Sequence, residues 1–216
     1  GQDFANLRHL GLWKLLAARF VIVGDTASIP GYHFVLGPVR TGGGPTAYLY
    51  EADSAPPVLR VIPAAVKGDT GEVVATLIDP RMDYDRIVLF DRFENINPLP
   101  VTELPAPSPS RATFTKWAPG SMDIALDPSP AANSYLLVAE NWYPDWHARV
   151  DGEPATVLRG NQTFLTVPIK AGARRVELEF SSAYYARGKL VTWISLLLLA
   201  VWAGAGVVWR RRQRSD

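Results

Sequence analysis

Cysteine is absent from the 216 residues, which excludes disulfide frameworks, thiolate nucleophiles and cysteine-ligated zinc or iron–sulfur centres. Histidine is scarce: His9, His33 and His147 show none of the i, i+4 spacing that builds a helix-borne metal site. A Gly-x-Ser-x-Gly elbow is missing, so a serine hydrolase of the common α/β type is not indicated. Gly42-Gly43-Gly44 is not followed by Lys-Ser/Thr and reads as a hairpin loop rather than a phosphate cradle. No cofactor is expected. An excess of basic charge is lacking as well. Four of the 22 basic residues and one of the 21 acidic residues lie in 210–216, which leaves 18 basic against 20 acidic elsewhere. A mildly acidic body has no basic face for phosphates, and nucleic acid is not an expected partner.

What the sequence does have is one long uncharged run. Leu190–Trp209 reads LVTWISLLLLAVWAGAGVVW. At about 1.5 Å per residue, such a helix matches the roughly 30 Å hydrocarbon core of a bilayer. Trp193 and Trp209 sit near its ends, where interfacial aromatics belong, and Arg210, Arg211, Arg212 and Arg214 follow at once. By the positive-inside rule that tail faces the cytoplasm, which puts residues 1–186 outside it, with the lipid bilayer as a partner. The chain opens on Gly1 with no signal-like segment. The expectation is therefore a C-terminal piece of a multi-pass parent whose earlier spans exported it.

The outer part divides by composition. Residues 1–91 read as a small mixed α+β unit. A helix is expected over 4–18 with Asp3 as N-cap, strands at Phe20–Val23, His33–Leu36, Ala47–Tyr50, Val58–Val61 and Arg86–Phe90, and a helix at Thr70–Ile78. Residues 92–110 carry five prolines and read as a linker. Residues 111–184 hold seven strand-like runs at the spacing of an antiparallel β-sandwich, with Asp151-Gly152 and Ala171-Gly172 as turn signals. A transmembrane helix over 188–209 and a basic tail over 210–216 complete an α+β fold.

Two clusters carry candidate chemistry. Asp83-Tyr84-Asp85 has the acidic D-x-D form in which two carboxylates share a divalent cation, if the backbone turns between them. The same triplet between a helix and a strand also reads as ordinary turn chemistry. Trp142, Tyr143 and Trp146 lie in Asn141-Trp142-Tyr143-Pro144-Asp145-Trp146 and form either a stacking platform for a glycan or acceptor, or a strand corner whose rings cap the core. Asn161-Gln162-Thr163 fits the glycosylation sequon.

The stretch Ser134–Phe180 resembles the C-terminal outer region of the YfhO family of bacterial multi-pass membrane proteins. The matching motifs are Trp142-Tyr143-Pro144-Asp145-Trp146, Val150-Asp151-Gly152, Asn161 with Phe164, Pro168 to Gly172, and Val176-Glu177. Asp145 departs from the family's usual glycine. Leu15–Val23 is similar to the family's leucine helix leading into an Arg-aromatic strand. The resemblance implies a membrane glycosyltransferase that takes sugars from polyprenyl-phosphate donors and acts on cell-envelope polymers in the cytoplasmic membrane. Its catalytic carboxylates would lie between earlier spans, so none is carried onto this chain. Partners would be the missing N-terminal transmembrane body and an envelope glycan or polymer. The alternative is a single-span anchored β-sandwich that binds a glycan or a protein.

Overall fold

A computed structural model describes residues 10–40, 42–98, 100 and 102–212. It is mostly β, with short helices and one long apolar helix, and it divides into two compact units, Gly1–Glu179 and Phe180–Asp216. The α+β fold class expected from the sequence holds.

In the first unit, helix α1 (Leu10–Leu15) leads to a three-stranded antiparallel sheet of β1 (Phe20–Val23), β2 (Tyr32–Arg40) and β3 (Thr46–Ala52), in the order β1-β3-β2. Next come β4 (Leu59–Ile62), β5 (Ala64–Gly68), α2 (Thr70–Leu77) and β6 (Ile87–Asp91). The remaining strands are β7 (Arg111–Ala118), β8 (Ser121–Asp127), β9 (Ser134–Asn141), β10 (Trp146–Val150), β11 (Glu153–Ala155), β12 (Leu158–Gly160), β13 (Phe164–Ile169) and β14 (Arg175–Phe180). The expected start of the first helix, including Asp3, lies outside the described residues.

Two sheets stack as the sandwich. One has five strands in the order β11-β10-β14-β8-β7, the other six in the order β4-β9-β13-β12-β6-β5. Their shared core joins Ile124, Val176 and Leu178 of the first sheet to Leu136, Leu165 and Val167 of the second. The opposite face of the six-stranded sheet buries Ile62, Leu137 and Phe164 with Leu15 of α1 and Val73 and Leu77 of α2. The arrangement is therefore three layers, with β9 covered on both sides. Its apolar run YLLVA is what a doubly covered strand requires.

This architecture corrects the division at 92–110. Strands β4, β5 and β6 belong to the same sheet as β9, β12 and β13, so residues 1–91 and 111–179 form one unit. Strand β4 has only β9 beside it, with Arg60 paired to Leu137, and the second edge of β6 is met by β12, with Phe90 paired to Gly160. The proline-rich segment has no helix or strand among its described residues and is strapped to the body. Arg86 donates to the carbonyls of Leu104 and Pro105, and Lys67 to that of Ile96 (3.1 Å). Strand β5 was not expected, because Ala-Ala-Val-Lys-Gly has weak strand propensity. It forms because α2 carries the chain back so that β6 lies parallel to it. The turn signal at Asp151-Gly152 is borne out: both residues have positive φ (50° and 86°) and close the β10–β11 hairpin.

The second unit contains helix α3 (Ala183–Arg212), which begins five positions before the expected 188. The sandwich ends at Phe180 rather than 184.

Candidate functional site

A cleft of about 740 Å³ opens in the first unit. Four chain segments line it besides Arg60: helix α1, Pro30–Tyr32 at the start of β2, the Ala52–Pro57 crossing from β3 to β4, and the Pro80–Asp85 turn after α2. Arg60 is buried at its wall. Its guanidinium donates to Asp85 Oδ1 (3.1 Å), to the Pro57 carbonyl (2.9 Å) and to the Lys14 carbonyl (2.5 Å). Burial pulls the Arg60 pKa below its usual value, and Asp85 opposes that shift.

The D-x-D triplet lines this cleft, but its carboxylates are in use. Asp85 is the counter-ion of Arg60. Asp83 Oδ1 accepts the Asp85 backbone N–H (3.0 Å), an Asx-type turn, and its Oδ2 lies 3.9 Å from Arg86. Among the described residues no group of three or more His, Cys, Asp or Glu side chains converges to hold a metal ion. What the geometry shows at Asp83 and Asp85 is turn and ion-pair chemistry.

The aromatic corner is likewise built into the core. Trp142 and Trp146 pack on the sandwich interior, with Pro144-Asp145 as the turn between them. Trp142 Nε1 reaches the Val157 carbonyl at 3.5 Å, and the Arg159 guanidinium lies 5.6 Å from its ring centre. Only Tyr143 of the three is largely exposed. Trp142→Ala and Trp146→Ala are therefore expected to cost about 2 kcal/mol or more each, somewhat below the range for fully buried tryptophans. Tyr143→Ala should cost under about 0.5 kcal/mol. Urea unfolding of the three variants measures the contrast, and equal small losses would return the tryptophans to the surface.

Sequence reasoning missed a polar knot at the end of β6. Asp91 is buried, accepts the Thr70 hydroxyl at Oδ2 and takes the Phe93 N–H at Oδ1 (3.1 Å). These bonds, the Thr70 one first, hold its carboxyl below the ordinary value of 3.8. Beside it, Asn161 adopts positive φ (46°) and exchanges two hydrogen bonds with Leu89, through its backbone N–H (2.8 Å) and its Oδ1 (2.9 Å). Asn161 is 2% exposed, so the sequon asparagine is a structural link and inaccessible to a glycosylating enzyme in the folded chain. A carboxyl with depressed folded pKa contributes stability that is present above its unfolded value and is lost as the pH falls through the folded one. Wild-type stability should consequently drop more steeply below about pH 4 than that of Asp91→Asn. Denaturant midpoints measured from pH 6 down to pH 2 check this, and parallel curves would remove Asp91 from the acid response.

Helix α3 is long and apolar enough over Ala183–Trp202 to cross a membrane, and none of that window is buried in the protein. Its two mid-helix hydroxyls are satisfied internally, Thr192 to the Gly188 carbonyl (3.0 Å) and Ser195 to that of Val191 (2.9 Å), which suits an apolar surrounding. Trp193 is exposed on it. Trp209, Arg210, Arg211 and Arg212 continue the helix backbone, and their side chains lie outside what is described.

Comparison with known protein families, with curated proteins and with solved structures finds no match to this chain.

Proposed function

We propose that this chain is the membrane-anchored, extracytoplasmic and non-catalytic end of a membrane-embedded glycosyltransferase that modifies cell-envelope polymers. The observation that carries the anchored part is α3, a 30-residue helix whose spanning window is exposed and mostly apolar. Such a surface is stable only in lipid or against other membrane helices. The four arginines behind it set the tail on the cytoplasmic side and the β-rich unit outside. The transferase assignment rests on the YfhO-like motifs of Ser134–Phe180. A non-catalytic role fits the candidate groups, since Asp83 and Asp85 are held in a turn and an ion pair and Trp142 and Trp146 in the core. On this reading the outer unit docks on the parent's missing transmembrane body and helps to position the acceptor glycan.

The test is the mass of the native gene product, read by immunoblot of source-cell membranes with an antibody against residues 111–182. A band several times larger than 23.7 kDa supports the transferase. A band at 23.7 kDa sinks it and leaves a single-span binding module. Protease added to spheroplasts should remove the outer epitope and spare one at 210–216; the reverse pattern overturns the orientation.

A further inference from the structure

Arg60 is a buried cation whose bonding is incomplete. A guanidinium carries five N–H groups. Three are spent on Asp85, Pro57 and Lys14, so two remain, on a side chain that is only 5% exposed. All three partners are residues that line the 740 Å³ cleft, and Arg60 lines it with them. Unspent donors on a buried charge are costly unless an acceptor can reach them. Other groups of the cleft are free as well. Lys14 Nζ has no partner among the described residues. Asp53 and Asp85 each use one carboxylate oxygen, on His33 (2.9 Å) and on Arg60 (3.1 Å), and keep the second.

Charge and surface together restrict what such a cleft can hold. Its cations, Lys14 and Arg60, stand against three carboxylates, Asp53, Asp83 and Asp85. An anion would meet a net negative lining, and a cation would meet the guanidinium and the free ammonium. A molecule without net charge that both donates and accepts avoids either conflict, and hydroxyl groups do both. Between the polar groups, Pro30, Pro56, Pro57 and Pro80 contribute apolar wall with no N–H to satisfy. That mixture suits a sugar ring, whose C–H faces are apolar and whose edge carries the hydroxyls. The volume also lies inside the range of about 300–1,000 Å³ for small-molecule clefts.

We propose that this cleft is a binding site for a neutral saccharide, held by Arg60, Lys14, Asp53 and Asp85. The proposal deepens the acceptor-positioning reading above and rests on it for the source of the sugar. It moves the glycan away from the aromatic corner, whose tryptophans belong to the core. No bond is made or broken in the cleft.

Saturation-transfer NMR on the full chain in a sugar-free amine-oxide detergent tests this. Maltose and diacetylchitobiose are the neutral probes, and glucuronic acid and glucosamine the charged ones. Lys14→Ala removes the free ammonium, and Ala55→Trp places an indole at an exposed position of the lining. Tyr143→Ala tests the aromatic corner. Arg60 is left in place, because the Pro57 and Lys14 carbonyls depend on it. The expected result is that a neutral sugar binds the wild type, binds Lys14→Ala about tenfold more weakly, and is lost in Ala55→Trp. Tyr143→Ala should bind like wild type. Both cleft variants change exposed residues, so either one decides the matter if the other misfolds. Binding that survives in Ala55→Trp and falls in Tyr143→Ala overturns the proposal and leaves the acceptor-positioning reading intact. Transfer to neither neutral sugar, or to a charged probe alone, overturns it too. The immunoblot above judges the parent separately: a 23.7 kDa band removes the transferase and leaves measured sugar binding to a single-span module.

Discussion

Gly160→Ala is expected to destabilise the first unit strongly and to lower its melting temperature by several degrees. A β-carbon at Gly160 would sit 2.2 Å from Thr166 Oγ1 and 2.9 Å from Val88 Cγ2, both in the interior of the six-stranded sheet. Neither neighbour has room to retreat: Thr166 and Val88 are fully buried, and Gly160 is the position at which β12 pairs with Phe90 of β6. Overpacking of this kind costs about 3 kcal/mol or more where backbone must shift, a large part of a typical domain's stability. Circular-dichroism melting of the full chain in detergent measures it. Adding Thr166→Ala should recover part of the loss, because it removes the closer obstacle and a hydroxyl that has no hydrogen-bond partner. Val88 would keep the rest. A Gly160→Ala chain that melts like wild type would mean that β12 and β6 are not packed as described.

Leu136→Ala and Leu137→Ala should each cost about 2–5 kcal/mol, although the two residues are neighbours on one strand. In a sheet with a wet face, adjacent positions differ sharply, because one points to solvent. Here Leu136 fills the core between the two large sheets and Leu137 fills the layer beneath α1 and α2. Both are fully buried. Glu140→Ala, near the exposed end of the same strand, should stay within about 0.5 kcal/mol. Denaturant unfolding of the three variants reads the comparison. A mild Leu137→Ala would dissolve the third layer.

Local elements were legible because local rules govern them. Phe20–Val23 forms as a strand with the expected ends, and α2 starts at Thr70 behind Asp69, whose N–H bonds the Glu72 carboxylate (3.0 Å). In Arg174–Phe180 the alternation predicts one face of Val176, Leu178 and Phe180; the first two are buried in β14 and Phe180, at its end, is 39% exposed. Which strands become neighbours was not legible. Pairing of β4 with β9 joins positions far apart in sequence, and periodicity carries no address for a partner. The proline-rich composition of 92–110 suggested a boundary, while the contacts of Arg86 and Lys67 that fasten that segment depend on the folded body. At the candidate sites, residue type was read correctly and context was not. Asp83 and Asp85 look alike in a string of letters, and only the burial of Arg60 from β4 reveals that one of them is a counter-ion. The knot around Asp91 and Asn161 gave no signal beyond a sequon, because its partners Thr70 and Leu89 come from other elements.

The interleaved strand order of the six-stranded sheet also sets a timetable for the newly made chain. Strands β4, β5 and β6 emerge first but lie in a sheet whose inner members, β9, β12 and β13, emerge later. Until Asn141 has left the ribosome Leu59–Ile62 lacks its partner β9, and until Gly160 has left it Ile87–Asp91 has only β5 beside it. Non-local pairing of this sort is slow and leaves sticky edges open while it waits. A nascent chain stalled between β6 and β9 is therefore the form of this protein most in need of a holding chaperone. The folded first unit becomes attainable only as β13 and β14 appear, immediately ahead of α3.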